Sequence, residues 1–323
     1  MLNRRTLLTR VAALSVLSGG AAHAATASFD AFLQGVASEA RGAGVSQATL
    51  QRAFANIRPN DKVLELDRRQ PEFTLTWEQY RDGRITTQRV ERGRQSYVEN
   101  ATLLEAIATR FRVSPRIVVA VWGLETNYGG FTGNYNTIEA LATLAWDGRR
   151  SAFFRAELMA ALRILERGDV TPDRMRGSYA GAMGHPQFMP TSFERLAVDF
   201  DGDGRRDIWD NRADALASIA NYLGRSGWDE TERWGREVLV PAGFDAALAG
   251  RGTRKPLREW LRLGVTAADG TALPPLDMPA SILLPGGAGG QAFVVYQNFN
   301  VIRRYNPSDY YALVVGMLSD RVA

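Results

Sequence analysis

Glu125 is the residue whose position most strongly indicates chemistry. It follows the apolar segment Ile117–Leu124 and precedes the glycine-containing segment Thr126–Gly130. A carboxyl at the end of a buried helix is partly removed from water, which favours its neutral form and raises its pKa toward the range of a general acid. The spacing alone is equally consistent with a structural glutamate that caps backbone amides or pairs with an arginine.

A second segment, Ser178–Pro190, combines small residues with neutral hydrogen-bonding side chains. Its glycines permit the backbone to approach a ligand closely, while Ser178, Tyr179 and Gln187 offer hydroxyl and amide groups. These groups suit a sugar with hydroxyl and acetamido substituents better than a charged cofactor. Ser178 and His185 do not indicate a serine hydrolase, because neither a G-x-S-x-G elbow nor an obvious partner acid accompanies them.

A third segment, Asp199–Asp210, matches the spacing of an EF-hand calcium loop, with acids at positions 1, 3, 5, 9 and 12 and glycine at position 6. The candidate ligands are the Arg205 carbonyl and the side chains of Asp199, Asp201, Asp203 and Asp210. Asp210 has a shorter arm than the glutamate usual at position 12, so Asp214 is an alternative closing carboxylate. The sequence therefore predicts a structural Ca²⁺ and no organic cofactor.

The elements around these segments are predicted to be mainly helical. Apolar residues recur at three- and four-residue steps from residue 29 to about residue 108, and again in 138–144, 153–165 and 214–222. Ser114 is the expected N-cap, and Pro115 the first residue, of the helix that carries Glu125. After Trp228 the pattern changes. The expected β-strands are 238–240, 282–284 and 292–296, and the expected helices are 257–263 and 310–318.

Composition excludes several classes of protein. The chain has 323 residues and no cysteine, which excludes disulfides, thiolate metal sites and cysteine nucleophiles. No apolar run reaches the roughly 18 to 20 residues of a membrane span, so no transmembrane anchor is expected. The polar turn Tyr305–Tyr311 combines aromatic and amide groups that suit a sugar-binding face, although Asn-Pro-Ser also favours turns.

Residues 1–24 have the pattern of an export signal. Arg4 and Arg5 give a basic start, residues 11–17 are apolar, and Ala22–Ala24 is a small-residue cleavage site. The paired arginines leave both the Tat and the Sec route open, and the lack of cysteine argues against a lipoprotein. Cleavage removes three arginines and no acid, so the net charge falls from +4 to +1. The main argument for a nucleic-acid partner, a strongly positive charge, is therefore lost. The predicted location is the periplasm.

Taken together, these segments resemble the B family of membrane-bound and soluble lytic murein transglycosylases. The resemblance extends along most of the chain, with the motifs in the family's order. Further matching motifs are Gln70–Phe73, Trp77 with Tyr80, Trp122–Thr126, Asp147–Arg150 and Arg304–Asn306.

The resemblance implies a mainly α-helical fold with a lysozyme-like core. The expected parts are a helical N-terminal lobe (25–95), the catalytic core with the EF-hand-like loop (96–228), a small β-containing lobe (229–300) and a C-terminal helix that returns to the core (301–323).

The resemblance also implies cleavage, without water, of the β-1,4 bond between N-acetylmuramic acid and N-acetylglucosamine in peptidoglycan, leaving a 1,6-anhydromuramoyl end. Glu125 falls where the family keeps its catalytic acid, and Asp214 where it keeps its last calcium ligand. The positions that match glycan contacts are Ser178, Gln187, Tyr222, Tyr305 and Asn306. Arg149 and Arg150 match a basic pair near the peptide stem, and Tyr80 an aromatic residue beside the cleft.

Two alternatives follow from the same residues. A hydrolytic muramidase would use the same Glu125 acid with a water nucleophile. A non-catalytic, calcium-dependent wall-binding protein would bind peptidoglycan and release no fragments. The expected partner in each case is the glycan strand.

Overall fold

A computed structural model describes residues 28–69 and 75–323, so the export signal and the Gln70–Phe73 motif lie outside the described residues. Its helices are α1 (Phe29–Gly42), α2 (Gln47–Ala53), α3 (Asp61–Arg68), α4 (Trp77–Arg84), α5 (Thr87–Glu99), α6 (Ala101–Phe111), α7 (Pro115–Thr126), α8 (Thr137–Asp147), α9 (Ser151–Arg167), α10 (Pro190–Leu196), α11 (Arg212–Arg225), α12 (Leu257–Arg262), α13 (Gln297–Tyr305) and α14 (Asp309–Ser319). Its strands are β1 (Tyr135–Asn136), β2 (Arg176–Gly177), β3 (Gly235–Leu239), β4 (Lys255–Pro256), β5 (Thr266–Ala267), β6 (Pro279–Leu283) and β7 (Ala292–Val295). The predicted mainly helical fold with a small β lobe is confirmed.

Within the described ranges, no helix has the length and apolar character needed to cross a membrane.

The helix that carries Glu125, α7, runs through the centre of the helical core. Ile117 to Trp122 are each at most 3% exposed, because α5, α11 and α14 pack around them. Ser114 occupies the N-cap position as predicted, but its side chain accepts no capping hydrogen bond. The helix ends at Thr126, and the left-handed backbone (φ 50°) of its C-cap residue, Asn127, turns the chain away.

Apolar side chains of the described residues form three clusters. The first surrounds α7 and includes α11 and α14, and the second joins α1 to α8 and α9. The third fills the β lobe around Trp260 and Val294. The N-terminal helices therefore pack directly on elements that follow α7. The domain boundaries predicted at residues 95, 228 and 300 remain a proposal.

The β lobe contains a five-stranded antiparallel sheet with the order β4-β6-β7-β3-β5. Ile282 pairs with Val294, and Val238 pairs with Ala292, so the three predicted β-type runs lie side by side. A separate pair, β1 and β2, aligns Tyr135 with Gly177. This pairing holds Ser178–Pro190 beside the chain that leaves α7.

The sequence analysis missed one helix near the site, α13. Its glutamine, asparagine and arginine residues obscure the apolar spacing, although Phe299, Val301 and Ile302 are completely buried. The helix carries Tyr305 at its last position, and α14 begins only four residues later.

Candidate active site

Glu125 lies at the end of α7, partly buried, and is held by a residue far away in the sequence. The Tyr311 hydroxyl donates a hydrogen bond to Glu125 Oε1 at 2.5 Å. Tyr311 is in the first turn of α14 and only 6% exposed. Burial, together with the negative charge of Glu125, raises the pKa of Tyr311 well above its usual value near 10. The hydroxyl therefore keeps its proton at neutral pH and serves as a donor.

Two further tyrosines connect this glutamate to the Ser178–Pro190 segment. The rings of Tyr222 and Tyr305 lie 4.6 Å apart, and the Tyr305 hydroxyl donates to the carbonyl of Pro186. Burial, with the charge of Glu125 as the second cause, raises the pKa of Tyr305 well above its usual value. The structure thus brings Tyr222 and Tyr305, two predicted glycan contacts, into the neighbourhood of Glu125.

Ser178 and Gln187 shape the loop that carries them. Ser178 Oγ accepts hydrogen bonds from the amides of Ala180 (3.3 Å) and Ala182 (3.1 Å). Gln187 has a left-handed backbone (φ 50°), and its Nε2 donates to the carbonyls of Thr132 (3.0 Å) and Gly184 (2.9 Å). The amide of Gln187 therefore ties the loop to the chain that follows α7.

His185 joins the same loop to α7 and is not placed as a base. Trp122 Nε1 donates to His185 Nδ1 at 2.9 Å, and the His185 amide donates to the carbonyl of Ile208 at 3.0 Å. Burial, with a smaller effect from the positive charge of Arg212, lowers the pKa of His185 below 6.5. The imidazole is therefore neutral at pH 7 and acts as a structural connector.

A cleft of about 670 Å³ lies beside these residues. Tyr80, Asn306 and Tyr310 line it, so two of the predicted substrate contacts face the same space. The Tyr80 ring packs against Tyr310 at 5.5 Å and under the guanidinium of Arg84 at 3.7 Å. Tyr310, which lines the cleft, directly precedes Tyr311, whose hydroxyl binds Glu125, although Glu125 itself is not among the lining residues. The size of the cleft is that of a small-molecule pocket.

Arg149 and Arg150 both pair with Asp67 of α3. Asp67 is 2% exposed, Arg149 Nε donates to its Oδ2 at 3.1 Å, and Arg150 pairs with its Oδ1. Neither arginine lines the cleft beside Asn306. The pair therefore fastens the N-terminal helices to the turn before α9, and a contact with a peptide stem remains a proposal.

The EF-hand-like loop gathers carboxylates as predicted. Oxygens of Asp199, Asp201 and Asp203 lie within 4.8 Å of one another. Asp199 also accepts hydrogen bonds from the amides of Gly202 (2.7 Å) and Gly204 (2.8 Å), which close the turn. Converging carboxylate oxygens are the donors that Ca²⁺ prefers, so the residues present fit this cation.

The two candidate closing carboxylates occupy different places. Asp214 is fully buried, and it accepts the amides of Phe200 (2.7 Å) and Asp207 (2.8 Å) at the two sides of the loop. Burial raises the pKa of Asp214 to about 6. Asp210 is half exposed and pairs with Arg174. Asp214 therefore lies against the loop, while the Asp210 side chain is engaged outside it.

Comparisons with known proteins agree with this geometry. Residues 28–320 match the family model of the transglycosylase SLT domain. The chain is 33% identical over 295 residues to the membrane-bound lytic murein transglycosylase B of Escherichia coli (strain K12), covering 87% of this chain and 79% of that protein.

Two solved structures extend the comparison. SltB3 from Pseudomonas aeruginosa, in complex with NAG-anhNAM-pentapeptide, is 47% identical with a TM-score of 0.89, covering 92% of this chain and 80% of that one. The Escherichia coli lytic transglycosylase Slt35, in complex with calcium, is 30% identical with a TM-score of 0.76, covering 93% of each chain.

The helical core, with a glutamate at the end of its central helix and a tyrosine-lined cleft, is that of a transglycosylase SLT domain. Within that class, the chain belongs to the lytic transglycosylase B family. It is an enzyme, a lytic murein transglycosylase. The alternative of a non-catalytic wall-binding protein is therefore excluded.

Proposed function

We propose that this enzyme cleaves the β-1,4 bond between N-acetylmuramic acid and N-acetylglucosamine in peptidoglycan and leaves a 1,6-anhydromuramoyl end. The observation that carries the proposal is the hydrogen bond of 2.5 Å from the Tyr311 hydroxyl to Glu125 at the end of the buried helix α7. The fragments bound by the SltB3 relative in two complexes, NAG-NAM-pentapeptide and NAG-anhNAM-pentapeptide, support the substrate and the product respectively. The export pattern of residues 1–24 supports a periplasmic location, where peptidoglycan is accessible.

In the proposed mechanism, one carboxyl acts twice. Protonated Glu125 gives its proton to the glycosidic oxygen, and the bond between that oxygen and C1 of the muramoyl sugar breaks. The Glu125 carboxylate then accepts the proton of the C6 hydroxyl, while the C6 oxygen bonds to C1. No water is consumed, and Glu125 is again protonated at the end. Most glycosidases need two carboxylates, but an internal nucleophile is already positioned by the sugar itself.

The neutral polar residues of the site have a positioning role in this proposal. Gln187, Tyr305 and Asn306 can hold hydroxyl and acetamido groups without adding a charge that would perturb Glu125. We also assign Ser178 and Tyr222 to the surface that contacts the glycan, and Tyr80 to the side of the cleft. We further propose that Arg149 and Arg150 lie near the peptide stem.

Product analysis tests the reaction directly. Purified sacculi are digested in ¹⁸O-labelled water, and the muropeptides are analysed by mass spectrometry. The expected fragments carry no reducing end, are lighter by one water than hydrolysis products and contain no ¹⁸O. Reducing ends labelled with ¹⁸O would instead establish the hydrolytic muramidase.

Loss of a glycan-positioning amide should reduce activity without moving its pH dependence. Gln187→Ala and Asn306→Ala should each lower kcat/KM by about tenfold, as expected from roughly 1 to 2 kcal/mol per lost hydrogen bond. The pH profile should keep its position, because neither side chain carries a charge. The measurement is kcat/KM on solubilised glycan strands from pH 4 to pH 9. Gln95→Ala, at an exposed position of α5, is the control, and full activity in both site variants would show that these amides are structural only.

We also propose that the Asp199–Asp210 loop binds a structural Ca²⁺, held by the side chains of Asp199, Asp201 and Asp203, the carbonyl of Arg205, and Asp214 as the closing carboxylate in preference to Asp210. The three carboxylates that converge within 4.8 Å support the site, and the calcium complex of Slt35 supports the choice of cation. Bound Ca²⁺ would neutralise the mutual repulsion of the acids and fix the chain before α11.

Calcium should stabilise the folded protein. A ligand that binds only the folded state at 100 times its Kd adds about 2.7 kcal/mol, so millimolar Ca²⁺ should raise the Tm of metal-free protein by several degrees. Asp203→Ala should abolish that rise and retain basal activity, because the loop does not include Glu125. Asp277→Ala, an exposed acid of the β lobe, should respond like the unmodified protein in differential scanning calorimetry. An unchanged Tm on adding Ca²⁺ would show that the loop is an acidic turn that binds no calcium.

A further inference from the structure

A second cavity, of about 340 Å³, opens beside the five-stranded sheet of the β lobe. It shares no lining residue with the cleft beside Asn306. Leu257, Leu276 and Met278 form an apolar wall. Arg236 and Tyr296 contribute polar groups to the same space, so the cavity offers both apolar contact and hydrogen bonding.

Tyr296 is the buried polar group of this cavity. The residue is 2% exposed, and its hydroxyl lies close to the Arg236 side chain but makes no hydrogen bond of good geometry with the described residues. Buried hydroxyls in folded proteins nearly always have a partner. A buried hydroxyl that lines a cavity without a well-formed hydrogen bond is therefore available to a ligand or a water molecule.

The sheet register places Arg236 next to this hydroxyl. Arg236 on β3 pairs with Val294 on β7, and Tyr296 lies two residues beyond Val294, so their side chains project from the same face. Arg236 Nε is buried and also lacks a hydrogen-bond partner among the described residues. Burial raises the pKa of Tyr296, and the charge and hydrogen bonding of Arg236 oppose that rise. A guanidinium N–H and a phenolic O–H thus converge on one space.

Two acids, Asp229 and Glu232, also line the cavity, and each already accepts hydrogen bonds from the protein. Glu232 Oε1 accepts the amide of Gln297 at the start of α13 at 2.5 Å. Asp229 accepts the amide and hydroxyl of Thr231. Arg233, which is mostly exposed, adds a second positive charge at the rim. The donors that remain for a ligand are therefore those of Arg236 and Tyr296, which favour an anion.

We propose that this cavity binds the terminal carboxylate of a short peptide with small aliphatic side chains. The carboxylate would accept hydrogen bonds from Arg236 and Tyr296, in the charge-assisted geometry that guanidinium groups favour. The side-chain methyl groups would lie against Leu257, Leu276 and Met278. An inorganic anion would leave this apolar wall without a partner, which is why a peptide is favoured.

A peptide stem is about as long as the helix that separates this cavity from Tyr305. Helix α13 begins directly after Tyr296 and ends at Tyr305, so its nine residues separate these two tyrosines by about 14 Å along its axis. An extended pentapeptide spans up to about 17 Å. Identification of the ligand as a peptidoglycan stem rests on the proposed function, whereas recognition of the carboxylate does not.

The experiment measures binding of N-acetyl-D-alanyl-D-alanine and of its C-terminal amide to the full chain, by calorimetry and ligand-observed NMR. The acid should bind, and the amide should bind at least about tenfold more weakly, because the charge-assisted hydrogen bonds are lost. Tyr296→Phe and Arg236→Gln should each weaken binding of the acid by about tenfold or more. Tyr296→Phe should hardly lower the Tm, since it removes a hydroxyl that makes no well-formed hydrogen bond within the protein. Arg262→Gln, at an exposed position of α12, should bind like the unmodified protein.

Several outcomes would overturn the proposal. These are no detectable binding of the acid, equal affinity for acid and amide, affinity unchanged in both cavity variants, or binding of inorganic phosphate without binding of the peptide. Repeating the titration with Glu125→Gln separates this inference from the proposed function. Peptide binding without anhydro products in the active protein would contradict only the reaction, and anhydro products without peptide binding would contradict only the second site.

Discussion

Glu125→Gln is expected to abolish turnover while leaving the folded structure intact. The amide retains the shape of the carboxyl and an oxygen for the Tyr311 hydrogen bond, but it cannot transfer a proton. Loss of general acid–base catalysis alone lowers rates by about 10² to 10⁴-fold, and here one group performs both transfers. The measurement is release of anhydro fragments from sacculi by purified protein, with the Tm as a check on folding.

The matched control is Glu105→Gln, which makes the same chemical change at an exposed position of α6. It should keep full activity. If Glu125→Gln also retained activity near that of the unmodified protein, Glu125 would be structural, as its sequence position alone allows, and the proposed mechanism would be wrong.

Tyr311→Phe is expected to lower kcat/KM by about tenfold or more, since a hydrogen bond to a charged group is worth roughly 1.5 to 3 kcal/mol. The hydroxyl donates to Glu125 and therefore favours the ionised carboxylate. Without this donor, Glu125 should hold its proton to higher pH. Activity that requires protonated Glu125 is lost as pH rises through its pKa, so the alkaline limb of the pH profile should move upward.

The pH profile distinguishes positioning from packing at Tyr311. A purely structural defect would lower activity at every pH and leave both limbs in place. Tyr97→Phe, which removes a hydroxyl from a partly buried tyrosine of α5, should change neither activity nor the profile. If Tyr311→Phe showed full activity and an unmoved alkaline limb, the hydroxyl would have no part in catalysis.

Features that depend on residues close together in the sequence were predictable from it. The apolar run that ends at Glu125 specified a buried helix, and the spacing of Asp199, Asp201 and Asp203 specified converging carboxylates. Local patterns succeed because side chains a few positions apart on one helix or in one tight turn are close in space whatever the rest of the chain does. The β-type runs likewise became β3, β6 and β7.

Other features depended on packing between distant parts of the chain. The different surroundings of Asp210 and Asp214 are one: Asp210 pairs with Arg174, across 36 positions, whereas Asp214 is buried and accepts backbone amides of the loop. Helix α13 is another, because its polar composition conceals the face that the core buries. The pairing of Asp67 with Arg149 and Arg150 also joins elements that no local pattern links.

The sequence by itself determined the family, the mainly helical class, the central helix and its terminal glutamate, and the acidic loop. Each of these can be recognised from motifs or patterns of residues that are close together in the sequence. The tertiary structure alone decided which donor holds that glutamate. Tyr311 lies 186 positions from Glu125 and reaches it only because α14 packs against α7. Burial between the two helices then fixes the proton on the tyrosine. Such a contact arises from the packing of the whole core, and no spacing along the chain encodes it.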